Sequence, residues 1–271
     1  VICIGLLAAW QALVMATALP HYILPDPLRV LTALVVHAAS IGRHAAITLA
    51  EIMLGLGIGI ALGAASALLI VTFRPARRWL LPLLVVSQAV PVFALAPLLV
   101  LWLGYGLASK VAMAAVIIYF PVTAAFSYGL RRADPGWLDL ALSMDAGRLA
   151  SLRHIRAPAA LPALASGIRV ATAVAPIGAV VGEWVGASAG LGYLMLHANA
   201  RMQIDLMFAA LLTLGAIAVA LYFAVDRLLK RLMPWQPESS PAGGRPFHAY
   251  DSDHRSPRPC ARRPAGSAPG G

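Results

Sequence analysis

Hydrophobic positions along this chain gather into long runs, and the short stretches between them hold most of the charge. An apolar run of about 18 or more residues is long enough to cross a hydrocarbon core of roughly 30 Å as a helix. Runs near residues 2 to 19, 45 to 72, 80 to 103, 108 to 129, 163 to 186 and 205 to 225 predict six transmembrane helices, and so an all-α polytopic membrane protein. Residues 27 to 39 are apolar but too short to cross; introduced by Pro25 and Pro27, they predict a helix lying at the outer interface. The first run contains Ala16-Thr17-Ala18, which resembles a signal cleavage site, but no charged segment precedes it and it is read as the first membrane helix.

Composition agrees with this pattern. The 271 residues are 60% hydrophobic and only 12% charged, against about a quarter charged in soluble domains, with a mean hydropathy of +0.79. The net charge of +10 falls between apolar runs, so it reads as membrane topology and not as a nucleic-acid surface. Arg74, Arg77 and Arg78 follow the second run, Arg131 to Arg156 the fourth, and Arg227, Lys230 and Arg231 the sixth. Those sides are expected in the cytoplasm, together with both termini. The opposite connections hold only Arg29, Arg43, Lys110 and Arg201. Cys3 and Cys260 have no metal-ligand spacing. From Gln236 onward Pro, Gly, Ser and Arg dominate, which divides the chain into a membrane domain, 1–235, and a tail, 236–271, expected to be disordered.

Within the runs, Gly55, Gly59 and Gly63 recur every fourth residue, as do Gly178, Gly182, Gly186 and Gly190. Such faces let a second helix approach closely. Pro82, Pro91 and Pro97 in the third span and Pro176 in the fifth remove backbone hydrogen bonds, as in helices that line cavities, move, or simply kink. Glu51 and Glu183 lie within or near the outer ends of spans, where a charge needs a polar partner. Arg169 cannot serve Glu183 along one helix, because fourteen residues separate them by about 21 Å; it is expected to snorkel to the cytoplasm. Gln88, Pro91, Pro176, Glu183 and Trp184 are the candidates for a solute pathway, Gln88 and Glu183 being equally readable as structural hydrogen-bond formers. Trp79, Trp102, Tyr105, Tyr222 and Trp235 sit at span ends as interfacial anchors. No nucleotide-binding loop, paired-histidine metal motif or nucleophile elbow is present, so no catalytic role or cofactor is expected, and any energy must enter from a partner.

Residues 137 to 162 read WLDLALSMDAGRLASLRHIRAPAALP, with Leu138, Leu142, Leu149, Leu152 and Ile155 at near-helical spacing among basic residues, which predicts an amphipathic surface helix. Pro158 and Pro162 set the chain for re-entry into the membrane. This loop resembles that of the permease subunits of binding-protein-dependent ABC importers, which opens on Glu-Ala-Ala, continues to a Gly, and ends on an Ile and a Leu-Pro pair. Laid down without gaps, Asp139, Leu140 and Ala141 take the Glu-Ala-Ala positions, Asp145 the Gly, Ile155 the Ile and Pro158 the Pro. Gly147 falls two residues late, which would shift the bend between two short helices.

Similarity extends over about residues 45 to 235, through PVFALAPLLVLWLGYGLASK and VGEWVGASAGLGYLMLHANARMQIDLMFAALL. It is similar to the nitrate, sulfonate and taurine branch, and within it to permeases for hydroxymethylpyrimidine, a thiamine precursor. The resemblance implies the type I importer permease fold in the bacterial inner membrane, with two permease copies in contact with lipid, separate ATPase subunits docked on residues 130 to 162, and a periplasmic solute-binding protein. An ion-coupled secondary transporter, the alternative from another class, would show paired membrane acids and repeated halves; no repeat is visible.

Overall fold

The computed structural model describes residues 2–17, 20 and 23–235, of which those up to Pro234 form one unit; the tail from residue 236 lies outside the described residues. They are helical throughout, with no strand: α1 (Ile2–Thr17), α2 (Pro27–Val36), α3 (Ala38–Thr72), α4 (Arg74–Ala89), α5 (Val92–Leu103), α6 (Leu107–Arg131), α7 (Pro135–Ser143), α8 (Arg148–Ser151), a π-helical turn (Leu152–Arg156), α9 (Ala157–Gly186), α10 (Leu191–Ala200) and α11 (Ile204–Leu232). Among the described residues four helices are long and apolar enough to cross a membrane: α3, α6, the continuous stretch Arg148–Gly186, and α11.

Small residues set the packing. α6 lies between α3 and α9, and its Ala114, Ile118 and Val122 form one core with Ile52 and Leu56 of α3 and Ala171, Ala175 and Ala179 of α9. A Cβ at Gly55 or Gly59 would overlap Ala114 or Ile118, and one at Gly178 would come within 2.8 Å of the Ala114 backbone. Backbones this close gain dispersion contact that larger residues would block. Gly63, Gly182 and Gly186 continue both faces against Val122, Lys110 and Tyr105. α2 does not cross; its Val30 packs with Ile41, Leu191, Ala209 and Ala210 against α10 and α11.

The third expected run is built differently from a single span. Residues 80 to 103 are not one helix: α4 ends at Ala89 and α5 begins at Val92. Val90 is extended, with ψ 121°, as favoured for a residue preceding proline, and Pro91 then caps α5. Pro82 and Pro97 stay inside their helices. The first run forms α1, and residues 18 and 19, which complete the expected run, lie outside the described residues.

Candidate functional site

The charged loop is two helices joined by a turn. α7 begins on Asp134, whose side chain accepts from the Gly136 N–H at 2.8 Å, and Pro135 opens its first turn. It ends where the Asp145 N–H donates to the Leu142 carbonyl and the Ala146 N–H to the Ala141 carbonyl, the paired bonds of a Schellman cap. That cap needs a left-handed residue after the helix, and Asp145 supplies it with φ 53°. The position where the importer loop carries Gly is thus the one whose backbone favours Gly here; Gly147, expected at the bend, has φ −59° and only caps α8. The single amphipathic helix expected over 137 to 162 is therefore broken at 144 to 147, because the Schellman bonds reverse the chain. After it, α8 passes through the π-helical turn into α9 without interruption, with Pro158 in the first turn and Pro162 inside the helix.

This break divides the expected apolar stripe. Ala141 is buried and Leu138, Leu152 and Ile155 are partly covered, whereas Leu140, Leu142 and Leu149 are exposed, as is Asp139. Trp137 and Met144, which sequence spacing did not single out, are 61% and 74% exposed. With Leu140, His154 and Ile155 they rim a dish of about 220 Å³ between α7 and α8. A second, larger hollow of about 430 Å³ opens between this loop and the end of α3, from Val71 and Thr72 to Arg148 and Arg156.

Of the pathway candidates, Pro91 stands at the exposed break between α4 and α5, Pro176 is buried within α9, and Trp184 is half exposed. The Gln88 side chain lies outside the described residues. Beside the break, α3, α5, α6 and α9 enclose an apolar groove of about 850 Å³, with Val92, Phe93, Tyr119, Phe120, Val170 and Ile177 on its walls. Among the described residues no charged side chain lines it.

Glu183 does not line that groove; it is 1% exposed and occupied elsewhere. Its Oε2 accepts from the Gly192 and Tyr193 N–H groups at the start of α10, and its Oε1 accepts the Thr48 hydroxyl at 2.6 Å. Thr48 in turn accepts the Leu191 N–H at 2.8 Å, and His44 Nδ1 the Gly190 N–H at 3.0 Å. A carboxylate from α9 and two side chains from α3 thereby satisfy the free N–H groups of α10, where the helix dipole also favours negative charge. Gly190, with φ 122°, and Gly192 leave the space: a Cβ at Gly190 would overlap the Glu183 carboxyl group. One turn from Thr48, Glu51 is fully buried with its Oε1 3.6 Å from the Nζ of Lys110, itself buried on α6. Lys110, read among the basic residues of the outer connections, is buried in the first turn of α6. Arg169 pairs across helices: its Nε donates to Asp226, near the end of α11, at 2.7 Å.

Two helices packed through glycine on a third, a broken apolar helix beside a groove and a capped double-helical loop invite comparison with known transporters. A family model described as a binding-protein-dependent transport system inner membrane component matches residues 55–236. The chain belongs to this family. It is accordingly the membrane subunit of an ABC importer and not itself an enzyme, working with ATPase and binding-protein partners. It is 57% identical over 228 residues, 84% of this chain and 93% of the relative, to a Haemophilus influenzae protein named "Probable ABC transporter permease protein". It is 35% identical to the formylaminopyrimidine transport permease of Halalkalibacterium halodurans, over 79% of this chain and 86% of that one. The riboflavin transport system permease of Chloroflexus aurantiacus is also 35% identical, over 85% and 87%. In fold it matches a methionine ABC transporter solved in inward-facing conformations, with a TM-score of 0.63 and 20% identity over 72% of this chain and 97% of that chain.

Proposed function

We propose that this permease passes a small, uncharged planar heterocycle of the aminopyrimidine type, a thiamine precursor such as hydroxymethylpyrimidine. The observation that carries the reading is the lining of the 850 Å³ groove: Phe93, Tyr119 and Phe120 offer aromatic faces, and no described side chain there offers a cation. A sulfonate, taurine or nitrate leaving water along this wall would meet no compensating charge, which is costly, whereas a neutral ring can stack. The formylaminopyrimidine permease among the relatives supports the same class.

In this proposal a second copy of the chain completes the groove, and residues 1–235 are the permease domain. The face bearing Arg131 to Arg156 is cytoplasmic, with both termini. ATPase subunits dock at the dish of Trp137, Leu140, Met144 and Ile155, flanked by Asp139 and Pro158; Ala141, Asp145 and Gly147 shape the turn beneath. Nucleotide-driven closure displaces α7 and α8, and the displacement passes into α9, altering the groove between inward-open and outward-open states.

The test is reconstitution with the cognate ATPase and binding protein, followed by ATP-dependent uptake of labelled hydroxymethylpyrimidine in competition with riboflavin, taurine, alkanesulfonates and nitrate. Pyrimidine uptake that the anions do not inhibit is expected. Uptake of taurine or a sulfonate with none of the pyrimidine would sink the proposal.

A further inference from the structure

Away from the groove, on the side of the molecule built by α2 and α11, a pocket of about 640 Å³ opens between α2 and the turn that joins α10 to α11. It shares no lining residue with the groove or with the loop hollows. Arg29, Thr32 and His37 of the α2 segment stand on one wall, and Gln203 and Asp205 on the other. Neither Arg29 nor Asp205 has an ion-pair partner among the described residues, and Asp205 Oδ1 is without a hydrogen-bond partner. The turn is held in place by a second Schellman cap, in which the Met202 N–H donates to Asn199, the Gln203 N–H to Ala198, and Met202 takes φ 57°.

A guanidinium and a carboxylate facing one pocket from two helices fit a ligand that carries both charges. The surrounding surface narrows the choice. Leu28, Leu31, Val35 and Val36 of α2 are 48% to 75% exposed, and Leu28 and Val36 reach the pocket itself. Asp205 is the second residue of α11, a membrane-crossing helix, and so lies at the boundary between headgroups and acyl chains. A short apolar helix beside such a boundary lies in the interface.

We infer that this pocket binds the headgroup of a zwitterionic phospholipid of the phosphatidylethanolamine type. The phosphate pairs with Arg29, which presents a planar fork of donors suited to phosphate. The primary ammonium donates to Asp205, and the acyl chains run over Leu28 and Val36. The inference depends on the chain crossing a membrane and not on which solute it carries.

The test is native mass spectrometry of the purified importer complex in detergent with matched-chain phosphatidylethanolamine and its mono-, di- and trimethylated forms, so that charge is constant while ammonium donors are removed. Retention falling stepwise with methylation, about tenfold in all, is expected, with the loss abolished in Asp205→Asn and all four lipids weakened in Arg29→Gln. Equal retention of the four lipids by the wild-type complex overturns the inference and requires no variant to fold. So does displacement of the lipid by soluble phosphoethanolamine at equal concentration, which would show that the chains contribute nothing. Preference for the ethanolamine headgroup that persists in Asp205→Asn places the site elsewhere and also overturns it.

Discussion

At Asp145 a side chain occupies a left-handed backbone conformation, which costs a residue with a Cβ about 1–2 kcal/mol. Aspartate tolerates it better than most, and the Schellman bonds hold it there. Asp145→Gly is therefore expected to tighten the turn by about 0.5–1 kcal/mol, and Asp145→Val to loosen it by more. Hydrogen exchange of the Ala146 amide, which donates to Ala141, measures both; slower exchange in the valine variant would contradict the assignment. The gap-free register put Asp145 on the glycine position of the loop from sequence alone, but what that position does became visible only as a dihedral angle. Glu183 was less legible. Its polar neighbourhood was anticipated, yet Thr48, its hydroxyl partner, lies 135 residues away, a separation that no local pattern encodes.

Among elements, the contacts of α6 decide how firmly the bundle holds. Lys110 and Glu51 place an ammonium and a carboxyl group side by side in a buried setting. Removing one partner of such a pair costs about 3–5 kcal/mol, because the other is left uncompensated, while removing both is far milder. Lys110→Met is expected to be strongly destabilising and to be largely rescued by Glu51→Gln, a coupling that a double-mutant cycle of thermal stability detects. Additive losses would mean that the two groups do not act as a pair. The glycines give a second contrast. Gly178→Ala pushes a methyl into the Ala114 backbone and should cost about 1–3 kcal/mol. Gly57→Ala, on the open face of α3 with nothing near its Cβ direction, should gain up to about 1 kcal/mol from helix propensity. Denaturation midpoints in one detergent compare them. The every-fourth-residue spacing of the packing faces was plain in the sequence, whereas the break at Val90–Pro91 was not, since Pro82 and Pro97 in the same run leave their helices unbroken.

For the whole molecule, the proposed ATPase coupling rests on a loop that is shaped by a buried alanine and presents exposed apolar side chains. Ala141 is 6% exposed between α7 and the second half of the loop, so Ala141→Arg forces the two halves apart. Substrate-stimulated ATP hydrolysis by the reconstituted importer should fall about tenfold, equivalent to about 1.4 kcal/mol, with membrane insertion and basal hydrolysis unchanged. Undiminished stimulation would remove Ala141 from the coupling path.

From Arg148 to Gly186 the chain is helical without a gap, a path about 58 Å long at the usual rise. One end carries the turn that Asp145 closes, and the other carries Glu183, which grips the first amides of α10. Moving as one piece, a stretch of that length tilted about 5° around its midpoint would swing each tip by about 2.5 Å. In the proposed docking arrangement, small rotations at the ATPase-facing end would thus arrive at the Glu183 end, beside α10, as displacements the size of an atom.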